Sequence, residues 1–140
     1  MGSDDAPAGN ALNNATYKRA TLDTSYNMNP TPTSGGANIG MPAIRAWRDH
    51  GLGANTPDIR VNVSQVHVPQ EGQFWQACKV TDLGGGNWRY DYAVFNLNSD
   101  RSGGSFSVPV PSGVAVSGIG FSAPQYHSGE PYSNAAWVVS

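Results

Sequence analysis

From Ile59 onward the chain alternates apolar and polar residues with a period of two, the signature of strands with one buried face. Ile59-Arg60-Val61-Asn62-Val63 alternates without a break. Val66 and Val68 fall on the opposite parity, so a bulge near Ser64–Gln65 is expected. Pro69-Gln70-Glu71-Gly72 reads as a turn, Phe74 to Leu83 as a second strand, and Gly84-Gly85-Gly86 as the next turn. In the third strand, Asn87 to Ser99, Trp88, Tyr90, Tyr92 and Val94 share one face, and Ala93, Phe95 and Leu97 the other. Apolar residues on both faces suggest that this strand is central. Phe106, Val108 and Val110 alternate with Ser105, Ser107 and Pro109 in a fourth strand, kept near an edge by its proline. Val114 to Ser122 and Ala135 to Val139 complete the pattern.

The first 58 residues read differently. They are rich in Asn, Thr, Ala, Pro and Gly, with no sustained period of either kind. Pro30, Pro32, Gly35, Gly36 and Gly40 forbid a continuous helix. Pro42 to Arg48 fits either one helical turn or a short strand, with Ile44 and Trp47 three apart. The expected fold is therefore all-β: an antiparallel β-sandwich, jelly-roll or Ig-like, with an extended, loop-rich N-terminal arm. Residues 1–14 are expected to be a cloning remnant and flexible lead-in, and residues 15–140 a single sandwich domain. Its core would draw on Val61, Val63, Phe74, Cys78, Val80, Tyr92, Val94, Phe95, Phe106, Val108, Val114, Val116 and Phe121. The sequence stops inside an apolar strand at Trp137-Val138-Val139-Ser140. Such an edge invites pairing, so a fragment of a longer protein is expected, its last strand completed by another chain or a missing segment.

Composition narrows the function classes. The 140 residues carry 8 basic and 10 acidic side chains, a formal charge of −2. That balance argues against nucleic acid as a partner, since binding phosphates calls for a basic face. No apolar run approaches the roughly 18 residues of a spanning helix. Cys78 is the single cysteine, which excludes an intramolecular disulfide framework and a CxxC site.

Candidate chemistry is sparse. The three histidines are His50, His67 and His127. His67 with Glu71, and His127 with Glu130, each set an imidazole near a carboxylate, the elements of a hydrolase-like acid–base site in loops. Four residues of extended strand span about 13 Å, so His67 and Glu71 could act together only if the turn folds back. Asn96, Asn98 and Asp100 place side-chain oxygens at alternate positions, as the start of a calcium loop does. Arg101 then stands where that loop needs glycine, so calcium is a weak candidate and an Asx-rich turn the plainer one. No nucleophile elbow occurs, and Gly84-Gly85-Gly86 lacks the helix and Lys-Ser/Thr of a phosphate cradle. No cofactor is expected.

Aromatic residues are the other candidates. Trp88-Arg89-Tyr90-Asp91-Tyr92 sets a ring at every second position, as a flat strip for stacking on sugar rings would. Aromatic ladders also build cores, so the same spacing serves either purpose. Trp75, Trp88 and Tyr90 are the expected ligand-binding residues, with a polysaccharide as ligand.

The stretches Lys79 to Gly86, Tyr90 to Arg101, Ser105 to Pro109 and Tyr126 to Glu130 together resemble a group of uncharacterised exported β-rich proteins of environmental bacteria. The resemblance covers about the last two thirds of the chain. It implies an extracellular, cell-surface or periplasmic β-domain and assigns no catalytic residue. The combined expectation is a non-catalytic binding or structural module of an exported bacterial protein, with glycan the favoured ligand. The alternative is a hydrolase-like enzyme, or a fragment of one, built on His67, Glu71, His127 and Glu130.

Overall fold

Glycine-rich turns and β-branched runs give the second half of the chain its sheet. The computed structural model describes residues 12–30, 37–99, 103–123 and 137–139. They belong to two compact units, which divide between Asp100 and Arg101. The first unit opens with short antiparallel pairs. β1 (Thr16–Tyr17) pairs with β4 (Asn38–Ile39), and β2 (Ala20–Leu22) with β3 (Met28–Pro30). Pro42 to Arg48 resolves as helix: α1 spans Arg45–Asp49.

The main sheet has three antiparallel strands in the order β5 (Val61–Val68), β6 (Gly72–Gly84) and β7 (Asn87–Asn96). Both hairpins turn where expected. Gln70 takes a positive φ of 63° in the first, and Gly84, Gly85 and Gly86 take positive φ in the second, a conformation glycine adopts at little cost. The all-β, antiparallel expectation is met for this unit. Three details differ. β5 pairs with β6 without interruption from Val61↔Lys79 to Val68↔Gly72, so the bulge expected near Ser64–Gln65 is absent. The irregularity lies instead in β6, between Asp82 and Gly84, where the chain approaches its glycine turn. β7 is an edge strand and β6 is the central one.

The register sorts the sheet into two unequal faces. Val61, Val63, Gln73, Trp75, Ala77, Lys79, Ala93 and Phe95 share the covered face. Val61 is wholly buried, and Trp75, Ala77 and Gln73 are buried beside it. α1 packs against β5. The opposite face carries Val80, Tyr92 and Val94, all expected in the core and all exposed. Phe74 and Cys78 on that face are half-buried. Alternation correctly grouped these residues, but it does not say which group is covered.

In the second unit, residues 103–123 form no hydrogen-bonded strand, which corrects the strands expected at Phe106–Val110 and Val114–Ser122. Phe106, Val108, Val114, Val116 and Phe121 are exposed. Pro109 and Pro111 bring no N–H to a ladder, and Gly113 and Gly118 turn the backbone to positive φ, so a strand pattern here lacks strand-forming groups. The Val114 N–H closes a turn onto the Pro111 carbonyl at 3.3 Å. Residues 137–139 are likewise outside any strand, and Trp137 stacks on Phe121 with ring centroids 5.5 Å apart.

Asp58 organises the first unit. Its carboxylate is 1% exposed and accepts hydrogen bonds from Arg60 Nε (2.8 Å), Arg60 Nη2 (2.9 Å) and the Arg60 N–H (3.1 Å). Lys79 Nζ lies 2.7 Å from its other side. The Asp58 N–H donates to the Arg48 carbonyl at the end of α1, and the Val61 N–H donates to the Asp58 carbonyl. Gly51 leaves the room this needs, because a Cβ there would come within 2.7 Å of Asp58 Cβ.

Bonds first from Arg60 and then from Lys79 outweigh the cost of burial and hold the Asp58 carboxyl well below its ordinary 3.8. A folded-state value below the unfolded one stabilises the fold above about pH 4, and that support is lost as pH falls further. Asp58→Asn is therefore expected to lower the thermal midpoint at pH 7 by on the order of 10 °C, because two cations lose their counter-charge. The variant should also lose part of the acid sensitivity below about pH 4. Circular dichroism melts across pH check both effects, and equal midpoints at pH 7 would contradict this role for Asp58.

Candidate functional site

The open face of the sheet is built by register. Trp88 lies opposite Asp82, Tyr90 opposite Val80, Tyr92 opposite Cys78 and Val94 opposite Gln76. One strand further, Asn62 lies opposite Cys78 and Ser64 opposite Gln76. Side chains two apart on a strand sit about 7 Å apart, so the three rings form an evenly spaced row along β7. Trp88 is 54% exposed and Tyr90 56%. Amide, hydroxyl and carboxylate groups of Asn62, Ser64, Gln76 and Asp82 border the rings on the same face. Burial raises the Tyr92 phenol above its ordinary value, with the neighbouring Cys78 and Tyr90 adding to the rise. It therefore stays protonated at neutral pH and can donate.

Of the three expected ligand-binding residues, Trp88 and Tyr90 lie on this strip. Trp75 does not. It pairs with Phe95 and Gln65 on the covered face, 6% exposed, and its indole Nε1 has no hydrogen-bond partner among the described residues. Parity explains the difference, since 75 is odd where the β6 residues of the strip are even.

A second cluster ties the far end of the sheet. Asn98 Oδ1 accepts from the Gln73 N–H at 2.8 Å. Asn96 Oδ1 accepts from the Ser99 N–H and Asn96 Nδ2 donates to the Ser99 carbonyl, both at 2.8 Å. Ser99 Oγ donates to Glu71 Oε1 at 3.2 Å. Gly72, at φ 154°, lets Asn98 approach so closely that a Cβ would meet it at 2.8 Å. Of the side-chain oxygens considered for calcium, that of Asn96 thus bonds the backbone of its own turn, and that of Asn98 bonds the backbone of β6. Asp100, the third of them, lies outside the described residues. Among the described residues no three His, Cys, Asp or Glu side chains gather as a metal site.

The His/Glu candidates are distributed differently. Glu71 belongs to the Ser99 cluster. His67 is exposed on β5, opposite Gln73. His127 and Glu130 lie outside the described residues, as do the C-terminal positions 135 and 136.

Sequence reasoning missed a constellation between the N-terminal arm and α1. Tyr17 is buried and donates its hydroxyl to Asp49 Oδ2 at 2.8 Å. Its ring meets His50 edge-on, with centroids 6.0 Å apart. Arg45 lies 3.6 Å from the other Asp49 oxygen, and His50 Nδ1 accepts from the Asn55 N–H. Tyr17 and Asp49 are 32 residues apart, so no local spacing marks them. This arrangement fastens β1 to α1.

Compared with protein-family models, with curated proteins and with solved structures, the chain matches none.

Burial, with help from the Asp49 carboxylate, pushes the Tyr17 phenol up to about 12 from an ordinary 10. A folded-state value raised above the unfolded one leaves Tyr17 fully stabilising below pH 10, and its contribution fades as pH rises from 10 toward 12. Tyr17→Phe is expected to cost about 1 kcal/mol at pH 7, the usual worth of one such hydrogen bond. It should also blunt the alkaline loss of stability. Urea unfolding at pH 7 and pH 11 measures both, and a variant as pH-sensitive as the wild type would sink this account.

Proposed function

We propose that this chain is a non-catalytic binding module whose ligand, a polysaccharide or other cell-envelope glycan, lies across the Trp88, Tyr90 and Tyr92 row. The observation that carries the reading is the exposure of Trp88 and Tyr90 on a regular strand, in a sheet whose opposite face holds the buried Val61, Trp75 and Ala77 of the neighbouring strands. A large ring left in water on a rigid sheet forgoes its burial energy, and contiguous exposed apolar patches mark interaction surfaces. Stacking on such rings loses little side-chain entropy, because two torsions per ring are already restrained by cross-strand neighbours. The bordering Asn62, Ser64, Gln76 and Asp82 offer the donors and acceptors that a hydroxyl-rich ligand requires. Low overall charge gives little steering toward a charged partner.

In this reading the sheet is one layer of a β-sandwich whose inner face is that of Trp75 and whose outer face is that of Trp88. An exported bacterial protein, at the cell surface or in the periplasm, would meet such ligands. The resemblance over about the last two thirds of the sequence supports that setting.

Affinity electrophoresis against a panel of polysaccharides tests the reading. Wild type should be retarded by at least one of them. Trp88→Ala should weaken that retardation by roughly tenfold, corresponding to the loss of one stacking contact of about 1.4 kcal/mol. Trp75→Phe, on the covered face, should retain it. No retardation on any polysaccharide, or retardation unchanged by Trp88→Ala in a folded variant, removes the proposal.

A further inference from the structure

We propose that the glycan bound on the open face carries free amino groups, with Asp82 taking an ammonium group of the sugar that stacks on Trp88. This names the ligand class of the site proposed above and rests on that reading. It starts from how charge is divided between the two faces of the sheet. The charged residues of β5, β6 and β7 are Lys79, Asp82, Arg89 and Asp91. Lys79, Arg89 and Asp91 share the face of Trp75, and each has a counter-charge there. Lys79 Nζ lies 2.7 Å from Asp58, and Arg89 Nε lies 2.9 Å from Asp91. Asp82 is on the face of Trp88 and Tyr90, is exposed, and makes no ion pair among the described residues. These strands therefore give the open face one negative charge and no positive one. An acidic polysaccharide meets repulsion there, and an ammonium group meets attraction.

Backbone phase brings Asp82 close to the indole. The Leu97 N–H donates to the Gln73 carbonyl at 3.0 Å, so the odd-numbered pairs of β6 and β7 are the hydrogen-bonded ones. Even-numbered pairs, Asp82 with Trp88 among them, are then non-hydrogen-bonded pairs, whose side chains stand closest. The carboxylate is also held in one orientation. Its Oδ1 accepts from the Gly84 N–H at 2.7 Å, and Asn87 Nδ2 steadies the same turn by donating to the Gly84 carbonyl at 3.4 Å.

Both members of the pair favour a cation. A carboxylate attracts it by charge, and the face of an indole attracts it through the ring quadrupole. Trp88 is 54% exposed, so its ring is available. Neighbouring strands are about 4.8 Å apart, so a sugar seated on Trp88 brings a ring substituent to Asp82 without leaving the indole. Asn62, Ser64 and Gln76 remain for the hydroxyl groups. The overall charge of −2 steers little from a distance, so the discrimination is made at contact.

Isothermal titration calorimetry on the full chain tests this with a glucosamine tetrasaccharide and its N-acetylated counterpart, in mildly acidic buffer where the free amines are charged. The two probes match in length and differ in charge. Wild type is expected to bind the free-amine form about tenfold more tightly, a preference that shrinks as salt rises. Asp82→Asn keeps an acceptor for the Gly84 N–H and removes the charge. It should bring the two probes to within about twofold of each other and leave affinity for the N-acetylated form unchanged. Asp23→Asn makes the same change of charge in the β2–β3 turn and should keep the preference. Circular dichroism melts confirm that each variant is folded. Equal affinity of wild type for both probes overturns the proposal, as does a preference that survives Asp82→Asn or is lost equally in Asp23→Asn. Those three results leave the glycan reading standing. Failure to bind either probe while another polysaccharide retards the chain also overturns this inference alone, whereas failure with every glycan removes both.

Discussion

A carboxylate taken out of water must be met by cations and donors, or the fold cannot tolerate it. For the Asp58 carboxylate that demand is met by Arg60, from the turn before β5, and by Lys79, from β6, while the Asp58 N–H separately ties the residue to the Arg48 carbonyl at the end of α1. The three partners can converge only if the helix, the first residue of β5 and the middle of β6 are already in place. Lys79 is also the register partner of Val61, which is wholly buried. The apolar anchor and the ionic one therefore occupy the same end of the sheet. A three-stranded sheet is near the lower limit of independent stability, so fixing one end of it to a helix matters more than it would in a larger sheet.

That anchoring also decides which face of the sheet is covered. Strand residues alternate strictly, and a slip of one position would exchange every side chain between faces. With Lys79 drawn to Asp58, the odd residues of β6 must face the anchored side. Trp75 and Ala77 are buried as a result, while Phe74, Cys78 and Val80 go to the other face. β7 follows through its own register, which turns Trp88, Tyr90 and Tyr92 outward. The exposed aromatic row is thus a consequence of where one aspartate is buried. At the far end, Asn98 on the Gln73 N–H and Ser99 on Glu71 close the sheet with neutral and singly charged bonds.

Much of this sheet was legible in the amino-acid sequence, for a local reason. Proline and glycine mark both hairpin turns, and the runs between them alternate, so the three main strands were placed to within a few residues of their observed bounds. The choice between a buried and an exposed aromatic ladder was not legible. Trp88-Arg89-Tyr90-Asp91-Tyr92 reads identically in either setting, and the deciding contacts join Tyr17 to Asp49 and Asp58 to Arg48, Arg60 and Lys79 across the chain. Residues 105–122 show the opposite failure. Phe106, Val108 and Val110 carry strand periodicity, but a strand exists only where a ladder does, and Pro109, Pro111 and Gly113 work against one. The candidate site was half legible for the same reason of parity: Trp88 and Tyr90 share a face, while Trp75, similar in kind, lies behind them.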